Sequence, residues 1–545
     1  MILARVSGFL PSWQSLGLAI ISAILLTLAF PDFEFWFLAW IGFIPLLLAV
    51  DRERGSFIRS FATGWLFGTC FFIGTCWWLT YSMIRYGGLP PIVAYALLLI
   101  ICLIVGVFPA IFAGAVSILM KRFGRIAVLA VPFVWVATEL LRHLIAGTSW
   151  NAIAYSQAFS GWGRSLASVG GIYLTSFAIL TFQTAVVAVV LNAPLFSRRV
   201  TDVVAEGEVG MVGTRFQRVQ LVAFLGIFCL GALFVLFLFG IKSSASAHEE
   251  SVTVASVVTI QPNVPMSGLN YDKWMGLRKR HVELAEKALR ELADRSPEGV
   301  SKPTTVVFPE SPMNFMYAED KEFQSFIHDF ASSHNVDVLF NSAEPNPIDG
   351  KYFNSAVLTD TQGREIAQYD KIYLVPFGEA VPAPFENVIP ALVGSFSYGT
   401  KYEVMPFGEA KAGIVICYES AFGELSRQFV LRGADVLIEM TNDGYLGPTP
   451  VLRQHLANSV FRAVETHRPL LRTTNVGISG YITDQGEVRD ATKSYSEDTR
   501  VWPVTKSDGE QTFYVKYGNW FAWLCGLVTV GILVYAFFRR EQQAI

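Results

Sequence analysis

About eight runs of predominantly apolar residues dominate the chain, at residues 16–30, 34–50, 61–83, 91–120, 126–141, 166–191, 221–240 and 519–538. A bilayer core takes roughly 20 apolar residues as helix, because lipid offers backbone amides no partner outside their own segment. The runs are therefore expected to span a membrane, the first being short. Composition agrees: 52% of residues are hydrophobic and 16% charged, with a mean hydropathy of +0.42, a balance water-soluble domains rarely reach. Arg5 gives the first run a charged start, but no small-residue cleavage site precedes Pro31 and further runs follow. It is expected to be retained rather than removed as a signal peptide.

Lys and Arg in short loops are held on the cytoplasmic side. One set of alternate loops carries Arg52, Arg54 and Arg59, then Lys121, Arg122 and Arg125, then Arg198, Arg199, Arg215 and Arg218, and finally Arg539 and Arg540. The opposite set offers little beyond Arg85, Arg142 and Arg164. Both termini are thus expected in the cytoplasm and the polar stretch between the last two runs on the outward face, which is periplasmic in a bacterial inner membrane. The expected order is a transmembrane part over 1–242, an outward domain over 251–507, a last span over 519–538 and a cytoplasmic tail over 539–545. A net charge of −3 and the lack of a basic stripe interleaved with aromatics argue against a nucleic-acid partner. Glu139 stands inside a run, where ionisable groups usually mark function. Its place near the outer end, with Arg142 three residues on, favours a structural pair.

The polar stretch alternates short β-branched runs with longer amphipathic ones, which is α/β patterning. Strands are expected at 253–261, 304–308, 337–341, 356–359, 413–416, 436–440, 470–474 and 480–483, and helices at 273–294, 321–334, 422–432 and 451–467. Glu310, Lys371 and Cys417 each close or follow a strand-like run. Open α/β sheets gather their chemistry at strand carboxyl ends, so the three are expected to converge. Taken singly, each has a plainer reading, as a turn carboxylate, a solvated charge and a core thiol; their joint occurrence favours a site. Of six cysteines, Cys70, Cys76, Cys102, Cys229 and Cys525 lie in apolar runs, leaving Cys417 without a disulfide partner in its own domain. The histidines (His143, His248, His281, His328, His334, His455 and His467) show no metal-ligand spacing, so no metal and no cofactor is expected. His455 or His467 as a thiol-protease partner for Cys417 is the weaker alternative.

Residues 308–311 (Phe-Pro-Glu-Ser), 369–379 (Tyr-Asp-Lys-Ile-Tyr-Leu-Val-Pro-Phe-Gly-Glu) and 416–419 (Ile-Cys-Tyr-Glu) resemble the three catalytic blocks of the nitrilase superfamily. With Val381-Pro382, 441–443 (Thr-Asn-Asp), 468–475 (Arg-Pro-Leu-Leu-Arg-Thr-Thr-Asn), 518–520 (Gly-Asn-Trp), 148–151 (Thr-Ser-Trp-Asn) and 155–157 (Tyr-Ser-Gln), the chain resembles the apolipoprotein N-acyltransferase family. These motifs span nearly the whole chain in order. The resemblance implies a helical transmembrane bundle joined to an α-β-β-α sandwich. It also implies that Glu379 and Glu419 are supporting carboxylates, and that Tyr271 stands about where relatives hold substrate with a Trp. Gly444, Tyr445 and Val476 depart from the family pattern, which has an aromatic pair including Trp and an Asn there.

The residue types suit acyl transfer. A thiol is only a few per cent ionised at neutral pH and needs a base, which Glu310 supplies; Lys371 brings positive charge to the thiolate and then to the oxyanion, and the Tyr418 amide is a second donor. Asn354, just before a strand, is expected to steady the cleft by hydrogen bonding. By resemblance, the acyl donor is a phospholipid such as phosphatidylethanolamine, and the acceptor is the α-amine of an S-diacylglyceryl apolipoprotein cysteine. Transfer in place of hydrolysis requires water to be kept from the thioester, and the loop at 382–393, rich in Phe, Val, Ile and Leu, is expected to face the bilayer. Two rival readings are a membrane-tethered amidase using the same triad and a transporter or receptor whose outward domain only binds ligand.

Overall fold

The computed structural model describes residues 10–161, 163–192, 252–295, 302–310, 315–381 and 395–538. The expected span at 221–240, the basic residues between 198 and 218, and the loop at 382–393 lie outside them. The chain divides into two compact units, one drawn from residues 1–80, 91–241 and 519–545 and the other from 81–90 and 242–518.

The first unit is helical. Its elements are α1 (Trp13–Ala29), α2 (Ile44–Glu53) and α3 (Phe57–Cys76), then, after the short α4 (Leu79–Arg85), which belongs to the second unit from Tyr81 on, α5 (Pro91–Val105), α6 (Val107–Phe123), α7 (Val131–Ala146), α8 (Ala167–Asn192) and a last helix, Trp520–Phe538. Among the described residues four stretches, at 57–76, 91–146, 167–191 and 520–538, are long and apolar enough to cross a membrane, and α1 is shorter. The run at 34–50 does not form one helix: a 3-10 turn at Trp36–Trp40 precedes α2, which has Pro45 in its first turn, where a missing N–H costs nothing. The run at 61–83 stops at Cys76, and the chain resumes as α4.

Small residues let α3 and α6 approach closely. A Cβ on Gly64 of α3 would lie 2.5 Å from the Ala113 side chain and the Pro109 carbonyl oxygen of α6, and one on Gly68 would lie 2.8 Å from the Pro109 ring. Lipid gives helices little hydrophobic drive to associate, so backbone proximity of this kind supplies the packing contacts. Aromatic rings fill the neighbouring space: Phe43 and Trp135 lie 4.5 Å apart, and Phe112 and Trp135 5.1 Å. Glu139 and Arg142 of α7 both hold the loop that follows. The Ile153 amide donates to Glu139 (3.0 Å), and Arg142 donates to the Trp150 (2.7 Å) and Ser149 carbonyls (3.4 Å).

The second unit carries two mixed sheets. Its strands are β1 (Thr253–Gln261), β2 (Thr304–Val307), β3 (Asp337–Pro345), β4 (Tyr352–Thr359), β5 (Glu365–Asp370), β6 (Phe396–Ser397), β7 (Val404–Phe407), β8 (Ala410–Ile416), β9 (Val436–Thr441), β10 (Leu470–Thr474), β11 (Gly480–Ile482), β12 (Val488–Arg489) and β13 (Asp498–Thr505). The first sheet runs β13-β1-β2-β3-β4-β5, with β6 on β4; the second runs β12-β11-β10-β9-β8-β7. Strands β1, β2 and β3 are parallel, as are β8, β9 and β10, while the flanking pairs are antiparallel. Parallel neighbours need crossover helices. These are α9 (Tyr271–Arg295) and α10 (Lys321–His334) in the first sheet, and α11 (Gly423–Leu431) and α12 (Val451–Thr466) in the second. Val258, Val306, Val338 and Phe340 of the first sheet form one core with Leu284 of α9 and with Phe323, Ile327 and Phe330 of α10. Between the sheets, the hydroxyls of Thr259 on β1 and Thr473 on β10 meet at 3.1 Å.

Alanine normally favours a helix over glycine by about 1 kcal/mol. Gly17→Ala in α1, with nothing within 4 Å of the added carbon, is expected to leave the thermal midpoint in detergent unchanged or raised. Gly64→Ala is expected to lower it, overpacking costing about 1–3 kcal/mol; equal midpoints for the two variants would refute the close-approach account.

Candidate active site

Four strand ends supply most of the polar groups that meet in the second unit, three by side chains and Asn442 by its backbone amide. Glu310 follows β2, Lys371 follows β5, Cys417 follows β8, and Asn442 follows β9, while Asn354 lies on β4. The Lys371 ammonium is fully buried; it donates to Glu379 Oε1 at 2.8 Å and to Glu310 Oε1 at 3.5 Å. Asn354 donates to the same two oxygens, at 2.7 Å to Glu379 and 3.0 Å to Glu310. The other oxygens are also tied down, Glu379 Oε2 by the Val375 amide (2.9 Å) and Glu310 Oε2 by the Asn442 amide (3.1 Å). Both carboxylates are therefore fixed from two sides, with the cation between them.

Cys417 has a left-handed backbone (φ 53°) and opens a 3-10 turn, Cys417–Ala421, directly after β8. Glu419, two residues on and fully buried, accepts from the Ile416 amide (2.9 Å), the Ile372 amide (2.7 Å), the Tyr373 amide (3.1 Å) and the Tyr369 hydroxyl (2.8 Å). One carboxylate thus staples the cysteine turn to the segment carrying Lys371.

The electrostatics follow from this packing. Burial pushes the Cys417 thiol well above its ordinary range, the Glu310 charge adds to that, and Lys371 opposes it. Burial alone would push Lys371 down, but Glu310, Glu379 and Cys417 more than reverse it, so the group stays an ammonium. Burial likewise raises Glu419, to about 7, against the pull of its donors. The three expected residues therefore lie within electrostatic reach of one another.

Glu379, Glu419 and Asn354 join this group, and Tyr418 lies in the same turn, half-buried. Tyr271 does not join it: it is the first residue of α9, 65% exposed, and among the described residues it shares no hydrogen bond, ion pair or ring contact with the others. Asn442 and Tyr445 are additions. The Tyr445 hydroxyl is pushed up to about 12 by burial and then by the Glu310 charge. Its carbonyl accepts from the Ser82 hydroxyl of α4 (2.6 Å), and Tyr86 packs edge-on against its ring at 5.6 Å. Their signal was the Asn-Asp-Gly-Tyr stretch after β9; nothing local in the sequence shows that Ser82 and Tyr86 reach it. His455 points a ring nitrogen at the Cys417 backbone carbonyl (3.0 Å), which is not the geometry of a protease base, and His467 caps the far end of α12.

Residues 256–516 match the carbon-nitrogen hydrolase family, so the class of the two-sheet unit is that of an α/β carbon-nitrogen hydrolase domain. Residues 22–185 match the apolipoprotein N-acyltransferase N-terminal domain. The chain is 31% identical to the apolipoprotein N-acyltransferase of Geobacter metallireducens, over 96% of this chain and 95% of that one. It is 29% identical to that of Allorhizobium ampelinum, over 92% of each. An amidase from Nesterenkonia sp. superposes on 50% of this chain and 99% of its own, with a TM-score of 0.36 and 16% identity, too loosely to carry an argument. The chain belongs to the apolipoprotein N-acyltransferase family. It is an acyltransferase and a multi-pass membrane protein with a large extramembrane domain.

Glu419 sets a pH dependence. Above about pH 7 it is ionised and accepts its four donors; below, it carries a proton that of these four only the Tyr369 oxygen can accept, and only if that bond reverses. Acyl-transfer activity is expected to fall as pH drops through about 7. Glu419→Gln turns an amide N–H toward the Ile416 N–H, a mismatch worth about 2–3 kcal/mol or roughly 30- to 160-fold in rate. That variant should be slower and lack the acid limb; an unchanged limb assigns the titration elsewhere.

Proposed function

We propose that the chain N-acylates the α-amine of the S-diacylglyceryl cysteine of an apolipoprotein, giving the triacylated lipoprotein. The acyl group comes from the sn-1 ester of a phospholipid such as phosphatidylethanolamine and is carried as a thioester on Cys417. The observation that carries this reading is the buried Lys371 ammonium, paired with two fixed carboxylates and within electrostatic reach of the half-buried Cys417.

Because burial holds Cys417 as a thiol, its proton leaves during attack and not before. In the first half, Sγ attacks the ester carbonyl while Glu310 takes the thiol proton. Lys371 and the Tyr418 amide meet the oxyanion, a contribution of roughly 3–4 kcal/mol for a donor of this kind. Collapse breaks the ester C–O bond, Glu310 returns the proton to the departing alkoxide, and lysophospholipid leaves. In the second half, the amine attacks the thioester carbon and gives its proton to Glu310. The C–S bond then breaks, and the sulfur takes that proton from Glu310 as the amide forms, which restores both groups to their starting state. The acyl group moves from ester to thioester to amide with no change of oxidation state, so neither half calls for a diffusible cofactor.

Glu379 and Asn354 support the role of Lys371 by fixing it, and Glu419 holds the nucleophile turn. Tyr271, exposed on the first turn of α9, is a contact for an arriving lipid. About eight spans, both termini in the cytoplasm and an α-β-β-α sandwich over 251–507 on the periplasmic side complete the reading, with the transmembrane part over 1–242, the last span over 519–538 and the tail over 539–545. It is supported by the distribution of Lys and Arg and by two sheets with their crossover helices.

Intact-mass measurement after incubation with phospholipid and no acceptor tests the proposal. An added fatty acyl mass is expected, removed by hydroxylamine, absent from Cys417→Ala and formed about 100-fold more slowly by Glu310→Gln. Added acceptor lipopeptide should clear it as N-acyl product. Release of free fatty acid or ammonia in its place would make the enzyme a hydrolase.

A further inference from the structure

Behind the nucleophile turn lies a closed cluster of charges that the acyl-transfer steps do not use. Arg472 of β10 donates to Glu439 of β9, with which it forms a close ion pair, and to Asp443 Oδ2 at 3.0 Å. Ser459 of α12 donates to Glu439 Oε2 at 2.5 Å. His455 of α12 completes the group: Nδ1 lies 2.6 Å from Asp443 Oδ1, and Nε2 lies 3.0 Å from the Cys417 carbonyl oxygen and 3.3 Å from Glu439 Oε1. All four ionisable side chains are buried. Each ring nitrogen of His455 faces an oxygen acceptor, and because a carbonyl oxygen can only accept, the Nε2 contact is a hydrogen bond donated by the ring. The charges of His455 and Arg472 hold the Asp443 carboxyl below its usual range in spite of burial.

The carbonyl that His455 holds belongs to the peptide unit joining Cys417 to Tyr418. A peptide is planar, and in the trans form its C=O and N–H point opposite ways. Fixing the carbonyl therefore aims the Tyr418 N–H, and drawing on the carbonyl oxygen strengthens that N–H as a donor. Cys417 needs such a constraint, because its left-handed backbone is one that residues with a side chain rarely adopt, at a cost of about 1–3 kcal/mol.

We infer that His455 is a positioning residue for acyl transfer: braced by Asp443 and Arg472, it donates from Nε2 to the Cys417 carbonyl and so aims and polarises the Tyr418 amide at the oxyanion. The inference rests on the reading above, in which that amide serves the tetrahedral intermediate. It gives the histidine a function distinct from that of a base, since it acts on the backbone and not on sulfur.

Two substitutions separate its contacts. Glutamine places an amide N–H where Nε2 stands, so His455→Gln keeps a donor for the Cys417 carbonyl and loses Asp443. Asparagine mimics Nδ1, so His455→Asn keeps Asp443 and loses the carbonyl. The full-length variants in detergent are compared for thioester formation from phospholipid, for alkylation of Cys417 by iodoacetamide, which builds no oxyanion, and for thermal midpoint. His455→Gln is expected within about tenfold of wild type in thioester formation, and His455→Asn about 100-fold slower, with donor KM and alkylation rate changed less than threefold in both. Equal thioester rates in the two variants, or alkylation falling in step with acylation, overturns the inference. Should His455→Asn fail to fold, His455→Gln still decides: loss of acylation at a native midpoint refutes the assignment, and its retention supports it. A wild-type enzyme that forms no hydroxylamine-labile adduct defeats the underlying acyl-enzyme reading instead, whatever the variants do.

Discussion

The buried Lys371 ammonium is the constraint on which the rest of the second unit turns. An isolated cation at full burial is costly by several kcal/mol, and leaving it unpaired would cost about 3–5 kcal/mol. It is stable because Glu310 and Glu379 flank it, and they hold still because Asn354 and the Val375 and Asn442 amides leave them no other orientation. Those partners come from both sheets: Asn354 from β4, Glu310 after β2 and Asn442 after β9. The register of one sheet on the other is therefore tied to neutralisation of a single charge, and on the proposed mechanism the same neutralisation keeps an ammonium ready for an oxyanion.

The cysteine turn shows the complementary strategy. A left-handed Cys417 lifts the side chain out of the line of β8, and the strain is carried by contacts on two sides. Glu419 gathers donors from the β8 end and from the Lys371 segment, while the α12 side supplies His455 to the carbonyl. Neither contact touches sulfur. Backbone geometry at Cys417 is thus set by two buried residues, Glu419 and His455, each held by several polar partners of its own, the fixed framework that preorganisation requires.

Legibility in the sequence followed burial. Every expected central strand is present, because β1, β2, β3, β8, β9 and β10 are packed on both faces and read as short β-branched runs. The longer strands missed were β5, β7 and β13, each at the edge of its sheet. Edge strands are half solvated and tolerate Pro406 and Pro503, so they lose the apolar run that betrays a central strand. Glu310, Lys371 and Cys417 were legible because strand ends are where polar residues interrupt such runs. Asn442 was not, since it acts through its backbone amide, which carries no side-chain signature. In the helical unit the apolar runs marked helices but not their breaks: those at residues 34–50 and 61–83 depend on local turns and on packing of rings, not on hydropathy.

A raised cysteine pKa looks at first like a defect in a nucleophile, yet it fits an enzyme that carries acyl groups. A permanently ionised thiolate would be open to oxidation at rest, and Cys417 has no second cysteine in its unit among the described residues to form a disulfide with. On the proposed mechanism the sulfur, held protonated by burial and by the neighbouring Glu310 charge, stays quiet until an acyl carbonyl enters, and proton loss to Glu310 then coincides with bond formation. In that proposal Glu310 passes the proton to the leaving alkoxide and so can accept one from the attacking amine. One carboxylate in one position would then serve both proposed half-reactions, with Lys371 held as an ammonium beside it.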